Sequence, residues 1–550
     1  MGAGAVSTMY AAAQNDRYDA LVIGSGPGGA TTAARVAESG KRVLLIERGD
    51  FLPRERDNWN SEAVFGDAKY TADETFYDQR DRPFRPELHY CVGGNSKVYG
   101  AALFRLQPRD FGAVRHLDGV APAWPVSYDD MEPYYVRAEH LFRVHGKHGE
   151  DPFAGRSSKD YQYPPVRHEP RIQRLSDGLE KLGLHPFHLP LGVDLTQDAD
   201  GRATAESRCI RCDRVDGFPC PMGAKADAEW AVIRPALAAH PNLALLTRTT
   251  AQRLLTDGDG RSVSGVAVTL PDGSPHTFTA DIIVLSAGAI LSAALLLRSA
   301  NDRHPRGLAN SSDMVGRNYM RHNNLALNAF SREPNPTVFQ KTLALNDFYG
   351  PSDYWEYPMG NIQMLGKSDD WQIKGGAPRR LGWAPTASYG EVARHSIDFW
   401  LSSEDIPLAD SRVTLRRDGA VRLTLQPNNN TEGLTRLRHT FTGMLSNLGM
   451  VETTFVRSLY LHKAFDAAAT AHQAGTARFG SDPATSVLDV HCKAHDLDNL
   501  YVVDGSFMPS VGALNPTLTI VANALRVGDH IVERIGNASA PPSGTVPEHS

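Results

Sequence analysis

Residues 18–49, YDALVIGSGPGGATTAARVAESGKRVLLIERG, decide the fold. The apolar run Ala20 to Ile23 enters a turn in which Gly24, Gly26 and Gly29 stand at GxGxxG spacing. Small residues Ala30, Ala33 and Ala34 follow at helical spacing, and Val43 to Ile46 supply a second buried strand. Strand, turn, helix and strand in this order predict a dinucleotide-binding unit. Gly24 permits the tight turn, Gly26 lets the backbone approach a pyrophosphate, Gly29 lets the helix close on the sheet, and the helix N-terminus offers the positive end of its dipole. Glu47, at the end of the second strand, stands where a carboxylate accepts from ribose hydroxyls and repels a 2′-phosphate, which argues against NADP.

Working outward, residues 243–255 (LALLTRTTAQRLL), 263–273 (VSGVAVTLPDG) and 276–300 (HTFTADIIVLSAGAILSAALLLRSA) read as a β-meander returning to a buried strand, with Gly288 opening a small-residue helix. This downstream pattern favours FAD over NAD and assembles the dinucleotide lobe from distant pieces of chain. Near the C-terminus, NLYVVDG (499–505) is a buried strand ended by Asp504 and Gly505. Pro516 then begins a helix with apolar residues at helical spacing.

At 550 residues and 60.0 kDa, two lobes are the expectation. Hydrophobic residues make up 41% and charged residues 22%, with no apolar run long enough to span a bilayer, so no integral membrane segment is expected. The net charge of −6 without a basic block argues against a nucleic-acid partner. The first twenty residues lack a charged n-region and an apolar h-region, which predicts a cytoplasmic protein. Five cysteines are too few for a disulfide scaffold of this size and agree with a reducing compartment.

Five stretches in this order and spacing resemble the glucose–methanol–choline (GMC) flavoprotein oxidoreductases: the fingerprint at 18–49, CVGGNSKVYGAALFR (91–105), IIVLSAGAILSAALLL (282–297), HQAGTARFG (472–480), and 499–531. The resemblance implies an α/β fold in which an FAD-binding Rossmann-type lobe is interleaved with an α+β substrate lobe built on an antiparallel sheet. It assigns 15–110, 205–320 and 466–540 to the FAD lobe, 111–204 and 321–465 to the substrate lobe and covering segments, and 1–14 and 541–550 to flexible tails. The strands RHSIDFWLSSEDIP (394–407) and SRVTLRRDGAVRLTLQPN (411–428), the second turning at Asp418-Gly419, belong to the substrate lobe in this reading.

By resemblance, Gly93, Gly94, Asn95 and Ser96 wrap the flavin, and Ala251, Asp504, Gly505, Pro516 and Thr517 complete the cofactor contacts. Some family members attach FAD through a His in the 91–105 stretch. This chain has Lys97 and no His nearby, so noncovalent FAD is expected.

Oxidising an alcohol by hydride transfer to flavin N5 needs a base for the hydroxyl proton and a polar group that aims the carbinol C–H. His472 and Asn515 fall on the family positions for those roles, of the His/Asn type found in its sterol- and pyranose-oxidising branches. From the residues alone, His472 also reads as a loop histidine and Asn515 as a helix N-cap. Cys209, Cys212 and Cys220 read as a loop of buried thiols over the flavin, an incomplete zinc or iron–sulfur set, or a redox pair; no metal is expected.

Residues 346–372 interleave Phe348, Tyr349, Tyr354, Trp355, Tyr357 and Trp371 with polar groups, which suits a sugar or polyol, while Glu356, Asp369, Asp370, Glu404 and Asp405 suit an amino sugar. The expected activity is an FAD-dependent oxidation of a hydroxyl on a sugar, amino sugar, polyol or glycosylated secondary metabolite, with oxygen or another electron acceptor. A flavin-containing lyase of the same family, or oxidation of a sterol-like or simple alcohol, stands as the alternative.

Overall fold

The fingerprint folds as its spacing predicts: β1 (Tyr18–Ile23), α1 (Pro27–Glu38), then β2 (Val43–Ile46). The computed structural model describes residues 17–353, 355–377, 385–427, 429–448, 461–464, 468, 469 and 471–538. Both expected tails and Tyr354 lie outside the described residues. The next elements are β3 (Leu243–Leu246), the meander β4 (Thr250–Thr256), β5 (Val263–Thr269) and β6 (Pro275–Phe278), then β7 (Ala280–Leu285) and α2 (Ala289–Arg298). A second group follows: β8 (Asn323–Phe330), β9 (Leu343–Leu345), β10 (Asn361–Met364), β11 (Ser396–Ser403), α3 (Thr431–Asn447) and β12 (Leu461–Ala464). β13 (Leu500–Val502) and α4 (Thr517–Ala538) return the chain to the first lobe.

The first sheet runs β3-β2-β1-β7-β13 and is parallel throughout, with Leu21 paired to Leu44 on one side and Ile283 on the other. Its strands are continuous apolar runs because both faces are covered; Ala20, Leu21 and Val22 are fully buried. Three glycines let α1 seat on this sheet. A Cβ on Gly24 (φ +99°) would lie 2.3 Å from the Ser286 carbonyl oxygen, one on Gly28 would lie 1.7 Å from that of Val503, and one on Gly29 would lie 2.0 Å from that of Gly24.

The second sheet is antiparallel, in the order β12-β8-β11-β10-β9, extended by the two-residue strand Phe187–His188. Alternation gives it two unlike faces. Leu325, Leu327, Ile362, Met364, Phe399 and Leu401 pack against Leu437, Phe441 and Leu445 of α3. The opposite face carries Asn324, Asn361, Gln363, Asp398 and Trp400, and this polar face bounds the site.

One expectation for the second lobe needs correction. Within residues 411–427 the chain does form a hairpin, Arg412–Leu415 with Val421–Thr424 around Gly419 (φ +82°), but it joins the short strands Phe76–Tyr77 and Pro83–Phe84 in a separate sheet. The reason is where its apolar side chains go. Val413, Val421 and Leu423 bury beside Phe76 in the core of the first lobe, not in the core under α3. Among the described residues no helix is long and apolar enough to cross a membrane.

Candidate active site

The cofactor end is a cradle at the N-terminus of α1. Its N-cap Gly26 supplies no side-chain cap, Pro27 follows, and no acidic residue occupies the first turn, so the helix start suits an anion. A Cβ built on Gly26 meets nothing within 4 Å, whereas one on Gly94 would approach the Cα of Gly26 to 3.3 Å. The turn Gly93 (φ +96°)–Gly94 (φ +55°) therefore lies across the helix start, and the two glycine backbones together suit a pyrophosphate.

Glu47 ties the two walls together. Its carboxylate accepts from Ser25 N (3.1 Å), Ser25 Oγ (2.6 Å) and Gly49 N (2.9 Å), while Ser25 Oγ accepts from Gly93 N (3.1 Å). Burial raises its pKa, against these hydrogen bonds. Thr249 N donates to the Glu47 carbonyl (2.9 Å), which brings the start of β4, with Ala251, to this end of the cradle.

Other sequence-selected residues turn inward to the protein. Asn95 Oδ1 accepts from His89 N (3.0 Å), and Ser96 Oγ donates to Gly93 O (2.6 Å) and accepts from Ala228 N (3.0 Å). Asp504 accepts from Gly288 N (2.9 Å), from Ser506 N (2.9 Å) and from the Ser292 hydroxyl, joining β13 to the start of α2. Burial raises its pKa. Gly505 is required by close approach, since a Cβ there would lie 2.4 Å from the Gln473 carbonyl. Lys97 is buried between Asp227 (2.9 Å) and Glu229 (2.7 Å).

At the chemical end, His472 and Asn515 meet: Asn515 Nδ2 lies 3.2 Å from His472 Nε2. Asn515 precedes Pro516 and α4, yet its Oδ1 accepts from Gln363 Nε2 (2.7 Å), so both ends of the amide are engaged away from the helix. His472 Nδ1 lies 2.9 Å from Nδ1 of His322, whose Nε2 lies 3.2 Å from the Val511 carbonyl oxygen. Both histidines adopt left-handed backbone, φ +58° at His472 and +65° at His322. The Trp400 ring stands 6.1 Å from the His472 ring, its Nε1 donating to Asn324 Oδ1 (3.1 Å). Burial, then the neighbouring His322 and Lys341, push the His472 pKa well below that of an ordinary imidazole. A neutral imidazole beside an amide N–H can take a proton from a hydroxyl whose oxygen the amide holds.

Glu404 and Asp405, at the end of β11, hold this arrangement in place. Glu404 accepts from Val511 N (3.2 Å), Gly512 N (2.9 Å) and His116 Nε2 (2.8 Å), and Asp405 accepts from Arg321 N (3.0 Å) and His322 N (2.9 Å). These carboxylates, expected to face an amino sugar, are buried and bonded to backbone instead. Asp369 caps the 370–376 helix and pairs with Arg214, and Glu356 pairs with Arg115. Phe348 belongs to the core under α3, and Tyr349 is buried with its hydroxyl on Asp110 (2.8 Å) and Ala513 N (3.0 Å). Trp371 stacks on Phe65 and Trp355 underlies Arg436, so the aromatic residues of 346–372 form no single platform.

Cys209, Cys212 and Cys220 carry free thiols, and burial raises the Cys209 pKa to about 12. Among the described residues no three His, Cys, Asp or Glu side chains gather as a metal site. Sequence reasoning missed His322 and Gln363. The only signal for Gln363 was its alternation with Ile362 and Met364 in β10.

A family model described as GMC oxidoreductase, N-terminal part, matches residues 18–324, and its C-terminal counterpart matches 407–524. The chain is 32% identical over 526 residues to 6'''-hydroxyparomomycin C oxidase of Streptomyces lividus, covering 94% of this chain and 92% of that protein. It is 31% identical over 524 residues to paromamine 6'-oxidase of Streptomyces fradiae, covering 92% and 90%. Among solved structures it is similar to pyridoxine 4-oxidase from Mesorbium loti, with a TM-score of 0.63 at 21% identity over 94% of this chain and 99% of that one.

Proposed function

The chain belongs to the GMC oxidoreductase family, FAD-binding enzymes acting on CH–OH groups, and on that premise we propose that it oxidises a hydroxyl of an amino sugar. The observation that carries the chemistry is the pairing of His472 Nε2 with Asn515 Nδ2 at 3.2 Å in a partly buried site. A substrate hydroxyl that bridges the pair, replacing the bond between them, donates to His472 Nε2 and accepts from Asn515 Nδ2. His472 takes the proton, and Asn515 holds the oxygen that becomes the carbonyl. FAD, when bound, supplies the two-electron acceptor for the carbinol hydrogen. Gly24, Gly26, Gly93, Gly94 and Glu47 would hold its pyrophosphate and ribose, and noncovalent attachment is supported by Lys97, which stays paired with Asp227 and Glu229.

The substrate class is supported by two relatives at 31% and 32% identity, named for paromamine and 6'''-hydroxyparomomycin C. The test is an anaerobic flavin-bleaching screen over aminoglycosides, neutral sugars, polyols and sterols, followed by readmission of air to identify the acceptor. Bleaching by amino sugars, abolished in FAD-loaded His472→Ala, is the expected result. Bleaching by sterols alone, or an unimpaired His472→Ala protein, overturns the reading.

A further inference from the structure

A single file of hydrogen bonds passes through His472, and each end stops on a group that can only accept. At one end stands the Val511 carbonyl. A carbonyl has no proton to give, so His322 Nε2, 3.2 Å away, carries the hydrogen, and neutral His322 has its lone pair on Nδ1. That lone pair faces His472 Nδ1 at 2.9 Å, so His472 Nδ1 is the donor and His472 Nε2 is left with the lone pair.

The other end gives the same answer independently. Asp151 accepts from Asn346 Nδ2 (2.7 Å), and Asn361 Nδ2 donates to Asn346 Oδ1 (2.8 Å) and to the Leu345 carbonyl (3.4 Å). These acceptors orient Asn361 so that its Oδ1 receives one Gln363 Nε2 hydrogen (3.1 Å), and the other goes to Asn515 Oδ1 (2.7 Å). Asn515 must then present N–H to His472 Nε2 (3.2 Å), which accepts. Two unrelated anchors, on residues far apart in sequence, impose one tautomer.

We propose that His322 is a positioning residue of the reaction, holding His472 as its Nδ1–H tautomer so that the Nε2 lone pair faces Asn515 and the incoming hydroxyl. This rests on His472 being the base. The arrangement does in neutral form what a carboxylate does behind a catalytic imidazole: it accepts the far N–H, and it continues to accept when Nε2 takes the substrate proton. Asp405, bonded to the His322 backbone N–H, fixes the ring's position, and Glu404 fixes the Val511–Gly512 segment that supplies the carbonyl. His472 itself is faced by Lys341, Trp400 and Asn515 besides His322.

The experiment uses the FAD-loaded full chain with histidine-selective 15N labelling, His472 being identified by difference from His472→Gln. The expected wild-type signature is a pyrrole-type Nδ1 and a pyridine-type Nε2. The limiting rate of anaerobic flavin reduction falls about 10²-fold in His322→Leu, with FAD content and half-saturating substrate concentration little changed. His322→Asn, whose Oδ1 can take the place of Nδ1, recovers most of that loss. A pyridine-type Nδ1 on wild-type His472 overturns the proposal, and so does a folded His322→Leu protein reducing at the wild-type rate. The second result leaves the assignment of His472 as base untouched, and FAD-loaded His472→Ala tests that assignment separately.

Discussion

Gln363 Nε2 donates to Asn515 Oδ1 at 2.7 Å, and that bond orients the amide whose other end meets the candidate base. Replacing it by Met keeps the length and removes the donor, leaving Asn515 free to rotate and its oxygen unpaired. An unsatisfied acceptor costs about 1–3 kcal/mol. Gln363→Met should therefore slow flavin reduction by roughly tenfold or more at full FAD content, read by anaerobic stopped flow.

In sequence Asn515 reads as an N-cap, but Pro516 stands between it and α4, and its side chain bonds Gln363 and faces His472. Asn515→Ala should accordingly leave the melting temperature within about 2 °C, since no cap bond is lost. The reduction rate should fall by about 10²-fold. A large fall in melting temperature with an intact rate would make Asn515 a cap.

Burial and the neighbouring His322 and Lys341 hold the His472 pKa well below 6.5. The proposed base acts when neutral, so lowering the pH should remove activity only once His472 is protonated. The limiting rate of flavin reduction should be level from pH 8 down past 6.5 and fall at more acidic pH. An acid limb centred at or above 6.5 would contradict the assigned base or its environment.

Asp110 lies behind the 511–513 segment, where burial and then Glu404 raise its pKa to about 7. Its unfolded value is near 4. Between these values the native state retains a proton that the unfolded chain has released, so this group's stabilising contribution falls as pH rises from about 4 to about 7 and is lost above. Asp110→Asn cannot ionise. Calorimetric melting temperatures at pH 5 and pH 8 should show the difference between variant and wild type moving in the variant's favour at the higher pH.

Gly26 and Gly28 are two residues apart and should fail differently. A Cβ on Gly26 meets no protein atom within 4 Å, whereas one on Gly28 would lie 1.7 Å from the Val503 carbonyl oxygen. Gly26→Ala should melt normally as the apoprotein and lose FAD affinity by about tenfold, measured by flavin fluorescence on titration. Gly28→Ala should cost about 3 kcal/mol or more of stability whether or not FAD is present.

What was legible in the sequence was local. GxGxxG between two apolar runs specified β1, α1 and β2, because turn, helix start and strand lie within one short segment. His472 and Asn515 could be selected from their motifs. His322 could not, because its role arises only when the start of β8 is placed beside residue 472 and its ring reaches the Val511 carbonyl. Glu404 and Asp405 were misread for a related reason: sequence gives their charge but not the buried backbone N–H groups that use it. Phe348 and Tyr349 look like a sugar platform in one dimension and are core in three.

The parallel sheet described above also dictates an order of events during synthesis. β1 is made long before its neighbour β7, which pairs Ala280 with Tyr18, and the edge strand β13 comes later still. His472, Asn515 and β13 all come far downstream of β1, so a nascent polypeptide carries the cofactor fingerprint long before it carries the proposed reactive pair. Oxidative chemistry is thereby withheld until these later segments have been made. The unpaired strands exposed meanwhile make the interrupted chain, rather than the finished enzyme, the species at risk of aggregation.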